Sequence, residues 1–145
     1  MIFDRTLLFS NAQAIVATAA STDNVDLLAT GTVYGAAAAL QKDIGKGASI
    51  PLLIQVVEAF NTLTSLTVTV QCDDNSAFSS AKDVLTVTLP LASLTAGRTF
   101  PIIAIPPGVN ERYMRLNYTV TGTAPTLGKV TAGVVMGVQT NGVSF

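Results

Sequence analysis

Strict period-two alternation runs through the second half of the chain. Over Leu66–Cys72, Leu66, Val68, Val70 and Cys72 share one face, and Thr67, Thr69 and Gln71 share the other. Leu85, Val87 and Leu89 alternate with Thr86 and Thr88. Met114, Leu116, Tyr118 and Val120 alternate with Tyr113, Arg115, Asn117 and Thr119. Val130, Ala132, Val134, Met136 and Val138 stand opposite Thr131, Gly133, Gly137 and Gln139. A spacing of two puts every second side chain on one face, so these runs predict antiparallel sheets with one face in a core. The polar run Asp73-Asp74-Asn75-Ser76, with Ser79 and Ser80, predicts a hairpin loop between the first two.

The first half is less regular. Ala12–Ala20 reads as a strand and Val25–Leu28 as a short one. Pro51–Phe60 is apolar apart from Gln55 and Glu58. Periodicity alone fits either a buried strand or a short helix there, and the β-branched content favours the strand. Ala36–Leu40 is the best helix candidate, although five residues fall below the length of a stable isolated helix. Lys42–Gly47 reads as a polar loop. Arg98–Ile105 reads as an edge strand, because Pro101 removes a ladder hydrogen bond. Pro106-Pro107-Gly108 turns the chain. About eight strands with uneven loops predict an all-β fold: an antiparallel β-sandwich of jelly-roll type, one domain over residues 1–145.

Composition narrows the function. The chain has no histidine, no tryptophan and one cysteine, and 12% of its residues are charged against 49% hydrophobic. Catalytic sites need convergent acids, bases or metal ligands, so the expectation is a binding or structural protein, not an enzyme, with no cofactor and no metal. A positive mean hydropathy at this length leaves apolar surface over, which marks self-association or docking. Net charge is −1 and the eight basic residues are scattered, which argues against nucleic-acid binding. Leu7-Leu8-Phe9 and the alanines near residue 20 resemble a leader superficially. Asp4 in the would-be basic region, and Ser10, Asn11 and Gln13 in the apolar one, argue against it. No run approaches the roughly 18 apolar residues of a membrane span. A soluble chain made in a reducing cytoplasm is the expectation.

Individual motifs carry little chemistry. Gly45-Lys46-Gly47 fails the phosphate-loop pattern, since position 40 is Leu and position 47 is Gly. Asp73, Asp74 and Asn75, with Asp83 across the hairpin, offer oxygen ligands for calcium, but turns favour these residues for backbone reasons alone. Glu58 and Glu111 are the glutamates a glycosidase pair would draw on, and neither sits in a motif. Tyr34 and Tyr113 are the stacking candidates for a carbohydrate. Asn117-Tyr118-Thr119 matches a glycosylation sequon. Cys72 ends an apolar face and reads as a small buried thiol.

Six segments carry a family resemblance: MIFDRTLLFS at 1–10, YGAAAAL at 34–40, DIGKG at 43–47 ahead of PLLIQVVEAF at 51–60, NERYMRLNY at 110–118, and KVTAG at 129–133. In that order, and to about Asn141, the chain resembles the capsid cement proteins of tailed bacteriophages. The resemblance implies a jelly-roll fold and a non-enzymatic protein. It also implies homo-oligomers on the outer surface of an icosahedral head, bridging HK97-like major capsid proteins.

Docking is then expected on isolated charges in apolar or glycine-rich context. These are Asp4 and Arg5 in an N-terminal docking segment (residues 1–10), and Asp43 and Lys46 in the loop. Arg112 and Arg115 form a second pair. A homodimer is expected ahead of a trimer. The alternatives are a carbohydrate-binding host-attachment module and a tail structural protein. Glycan retention would mark the first, and co-purification with tails the second.

Overall fold

All strand pairs are antiparallel in the computed structural model, which describes residues 2–137. Among those residues there are eight strands in two sheets and no α-helix. The first sheet has the order β1 (Phe3–Ala14), β8 (Lys129–Val135), β4 (Leu52–Glu58). In the second, β7 (Tyr113–Gly122) pairs β5 (Leu63–Asp73), which pairs β6 (Lys82–Pro90). Two short strands, β2 (Ala19–Ala20) and β3 (Val25–Asp26), lie on the other side of β7. The expected antiparallel sandwich is therefore what the chain builds.

Alternation places the core. Leu66, Val68, Val70 and Cys72 of β5 are buried, as are Met114, Leu116 and Tyr118 of β7. They meet Phe9 of β1, Leu52, Ile54 and Val56 of β4, and Val130 and Ala132 of β8 in one cluster. Cutting such a side chain to alanine costs about 2–5 kcal/mol. On the outward face, Thr67 pairs Thr88 and Thr69 pairs Thr86 through their hydroxyls, at 2.8 and 3.2 Å.

Four expectations change. Ala36–Leu40 forms no helix: Gly35 takes φ +80° ahead of it, and all five residues are exposed, with no face packed to support a helical turn. Ala12–Ala20 is not one strand. Ala12 adopts φ 47°, β1 stops at Ala14, and pairing resumes only at Ala19. Arg98–Ile105 makes two isolated bridges, Thr99 with Gln55 of β4 and Ala104 with Pro51 just before β4, and no continuous strand. Pro101 interrupts it, yet the segment still covers the β4 edge, with Val56 N donating to Arg98 O at 2.8 Å and Leu52 N to Ile103 O at 3.0 Å.

The fourth change concerns β8. Val130 and Ala132 face the core, but Gly133 and Val135 are buried on the other side. Gly133 lies opposite both Leu8 and Leu53, and a Cβ there would stand 2.9 Å from Leu8 Cδ2, so the Leu8 side chain packs over it. Met136 has already left the strand and is exposed. Val138 and Gln139 lie outside the described residues.

Candidate functional site

The loops at one end of the sandwich are cross-tied. This is the end where β1 begins, β8 finishes, and β5 turns into β6. Ile44 N donates to Val109 O at 3.1 Å, and Asp43 accepts from Gly45 N at 3.1 Å and Gly108 N at 2.9 Å. Lys82 reaches Asn110 at 2.9 Å. Gly45 is required for this closeness, since a Cβ on it would lie 1.9 Å from the Pro106 carbonyl oxygen.

The six charges expected to dock fall at or near this end, each with a partner in the chain. Asp4 accepts from the Thr6 backbone N–H and hydroxyl at 2.8 and 2.7 Å, and those bonds hold its carboxyl below the usual carboxylate range. Arg5 stands 3.6 Å from Asp23 and is 73% exposed. Asp43 is the latch just described, and Lys46, 75% exposed, lies 3.9 Å from it. Arg112 forks onto Asp26 at 3.0 and 2.8 Å; hydrogen bonding to the guanidinium pulls the Asp26 carboxyl down. Arg115 donates to Gln71 at 2.9 Å and stacks 4.2 Å over the Phe78 ring, and partial burial lowers its pKa. Arg5 and Lys46 keep the most freedom to meet a partner. Of the N-terminal segment, Leu8, Phe9 and Ser10 are buried, which leaves the exposed part to the residues before them. Asp4–Leu7 bulge out of the ladder between the pairs Phe3–Val135 and Leu8–Gly133.

Sequence reasoning missed the largest feature here. Residues 27–41 contain no charged side chain, and residues 31–41 are all exposed. They form an arm carrying Val33, Tyr34, Ala36–Ala39 and Leu40. Its base is closed: Leu40 N donates to Gly31 O at 3.1 Å, Leu27 N to Arg112 O at 2.8 Å, and Leu28 N to Asp26 at 2.8 Å. The Lys42 ammonium donates to the carbonyls of Leu27 and Leu28, pinning the arm's two ends together. A closed-base excursion of this length has the form of an Ω-loop, a frequent carrier of function. Its sequence signal was fifteen uncharged residues without usable periodicity.

Beside the bulge of β1 lies an apolar groove of about 490 Å³, lined by Ile2, Phe3, Leu7, Val134, Val135 and Met136. Asp4 and Arg5 line it as well. The remaining candidates have structural roles. Asp73 is buried and accepts from Asn75 N at 2.9 Å and Ser80 N at 2.8 Å, which shapes the hairpin loop. Glu58 pairs with Lys129 at 2.6 Å. Cys72 is buried with its thiol 3.8 Å from Gly108 O, and Tyr113 is half-buried beneath Arg112. Among the described residues, no helix is long and apolar enough to cross a membrane, and no group of three or more His, Cys, Asp or Glu could hold a metal.

The architecture defines a small antiparallel β-sandwich whose arm, groove and exposed charges gather at one end. The Bbp16 family model matches residues 9–134, which span both sheets and the arm, and the chain belongs to that family. The family's name points to a Bordetella bacteriophage protein, consistent with a phage protein. No curated protein matches the chain.

Proposed function

We propose that this protein is a cement protein of a tailed-phage head: a structural, non-enzymatic protein of the virion's outer capsid surface. The observation that carries the reading is the family match over 9–134. It joins the segment-by-segment resemblance to phage cement proteins, in particular that of the Bordetella short-tailed phage. The partners are the major capsid protein and a second copy of this chain. The loop-rich end is the contact surface, since it holds the uncharged arm and the freest charges, Arg5 and Lys46.

The mechanism is linkage. A protein that binds the assembled shell but not its dissociated subunits shifts the equilibrium toward the shell. Each contact is small, and a dimer engaging two capsid subunits gains from effective concentration. Purified protein mixed with heads that lack it should pellet with them, saturating near one copy per major capsid subunit, and should raise the heads' resistance to heat. Absence of binding to intact mature heads refutes the reading. Co-purification with tails, or retention on glycans, would then identify a tail component or an attachment module.

A further inference from the structure

Among the described residues, the sheet edges are covered or interrupted except at β6. The β4 edge carries Arg98–Ile105, and the far edge of β7 carries β2 and β3. β1 is broken by register shifts, and its Phe9 O accepts from Asp23 N at 2.9 Å. β6 pairs β5 on one side, and no described backbone group bonds to its other side. It belongs to the sheet that does not contain β1 and β8, and Pro90, opposite Ser65, lies at the end of the sandwich away from that where β8 finishes. Natural edge strands are guarded by charge, proline or a bulge. Lys82, Asp83 and the irregularity at Val84 guard one end of β6, and Pro90 guards the other. Leu85–Leu89 between them carry no such guard. Leu85 and Val87 are also only half-buried, whereas Leu66, Val68 and Val70 beside them on β5 are buried.

We infer that two copies of this chain pair edge to edge through β6, antiparallel about a two-fold axis at Val87. The sequence of the edge names a second copy as its occupant. Leu85-Thr86-Val87-Thr88-Leu89 reads the same in both directions, so about this axis Leu85 meets Leu89, Thr86 meets Thr88 and Val87 meets its own equivalent. The fold already contains the same pairing. β5 presents Leu66-Thr67-Val68-Thr69-Val70 to the inner side of β6, antiparallel, with Leu66 opposite Leu89, Thr67 opposite Thr88, Val68 opposite Val87 and Thr69 opposite Thr86. A second β6 offers the outer side nearly the same five side chains in the same order. Thr86 and Thr88 would extend the outward hydroxyl rows, as Thr67–Thr88 and Thr69–Thr86 do within the chain. The apolar side chains would cover the half-buried Leu85 and Val87. Such an isologous contact closes on itself. A single strand pair is smaller than a standard interface, so the dimer is weak in free solution and is reinforced where a shell holds two copies close together. The inference specifies the homodimer of the proposed function and rests on that part of it; it leaves the loop-rich end free for the shell.

Sedimentation of the full chain should show a monomer–dimer equilibrium below about 1 mM. Amides of Val84–Leu89 that point away from β5 should exchange quickly in dilute protein and slowly once the dimer is populated. Thr86→Lys/Thr88→Lys sets like charges opposite each other twice across the axis, and should weaken the dimer at least about 10-fold. Both positions are exposed, so circular dichroism should be unchanged. Mixed with Thr86→Glu/Thr88→Glu, the lysine variant should form a heterodimer tighter than either variant's homodimer, which no loss of folding could produce. A wild-type monomer up to that concentration overturns the pairing and the homodimer, while head binding is judged by its own pelleting assay. A dimer that ignores both charge variants keeps the homodimer and overturns the β6 pairing. Protection of the β6 amides only when heads are added, without self-association, makes this edge a shell contact and likewise overturns the pairing.

Discussion

The hydroxyls of Ser10 and Tyr118 lie 2.8 Å apart in the core and join β1 of one sheet to β7 of the other. The proton's direction follows from the next bond. Ser10 Oγ donates to Gln13 Oε1 at 2.7 Å, so the Tyr118 phenol donates to Ser10. Gln13 passes the connection to Ala20 O at 2.8 Å, and Thr22 N donates to Gln13 at 2.9 Å. Sheet spacing is thereby specified by a satisfied polar chain within an apolar core.

Removing either hydroxyl should cost unequally. Tyr118→Phe leaves Ser10 bonded to Gln13 and should destabilise by about 1 kcal/mol. Ser10→Ala strands a buried phenol and should cost about 1–3 kcal/mol. The double variant should recover part of that loss, because no buried donor is then left unpaired. Denaturant titrations of the four proteins measure the coupling.

Alkali should unfold the protein through Tyr118. Burial is the main cause that raises the phenol's pKa above its ordinary value of 10.0, against the opposing Ser10 hydrogen bond. The folded state therefore holds the proton longer than the unfolded chain. The contribution is complete below about pH 10 and is lost as pH rises beyond it. Tyr118→Phe should flatten the fall of melting temperature above pH 10. An unchanged slope would refute the assignment.

Gly45→Ala should separate the 43–47 loop from the 106–110 turn. With Pro106 O only 1.9 Å from the new Cβ, the backbone must shift, at about 1–3 kcal/mol. Gly31→Ala is the control, since nothing lies within 4 Å there. Amide exchange at Ile44 and Gly108 should quicken in the first variant and not in the second.

Lys42→Ala should release the arm's base. Chymotrypsin should cut the wild-type chain first at Tyr34 or Leu40, on the exposed arm. Cleavage there should be several-fold faster in the variant, while melting temperature changes little. Equal cleavage rates would show that the Lys42 bonds do not hold the loop.

Much of the fold was legible because strand alternation is local: each side chain's face is set by its parity. That is why Leu66–Cys72 and Met114–Tyr118 occupy the faces their pattern predicts. Parity does not say how many faces are covered. β8 also buries Gly133 and Val135 on its second face, and only the assembled sheet places Leu8 and Leu53 against Gly133.

Local pattern failed where tertiary contacts set the conformation. Ala36–Leu40 has helical composition but no packed face, so Lys42 and Gly31 close it as an arm instead. The expected docking charges are isolated in sequence context. Their partners come from distant segments: Asp26 for Arg112, Gly108 for Asp43, Gln71 for Arg115. Composition and parity depend on neighbours along the chain and decided the β-sandwich and its core faces. Which charges are satisfied, and which apolar surface is left open, depends on long-range pairing, and only the tertiary structure decided it.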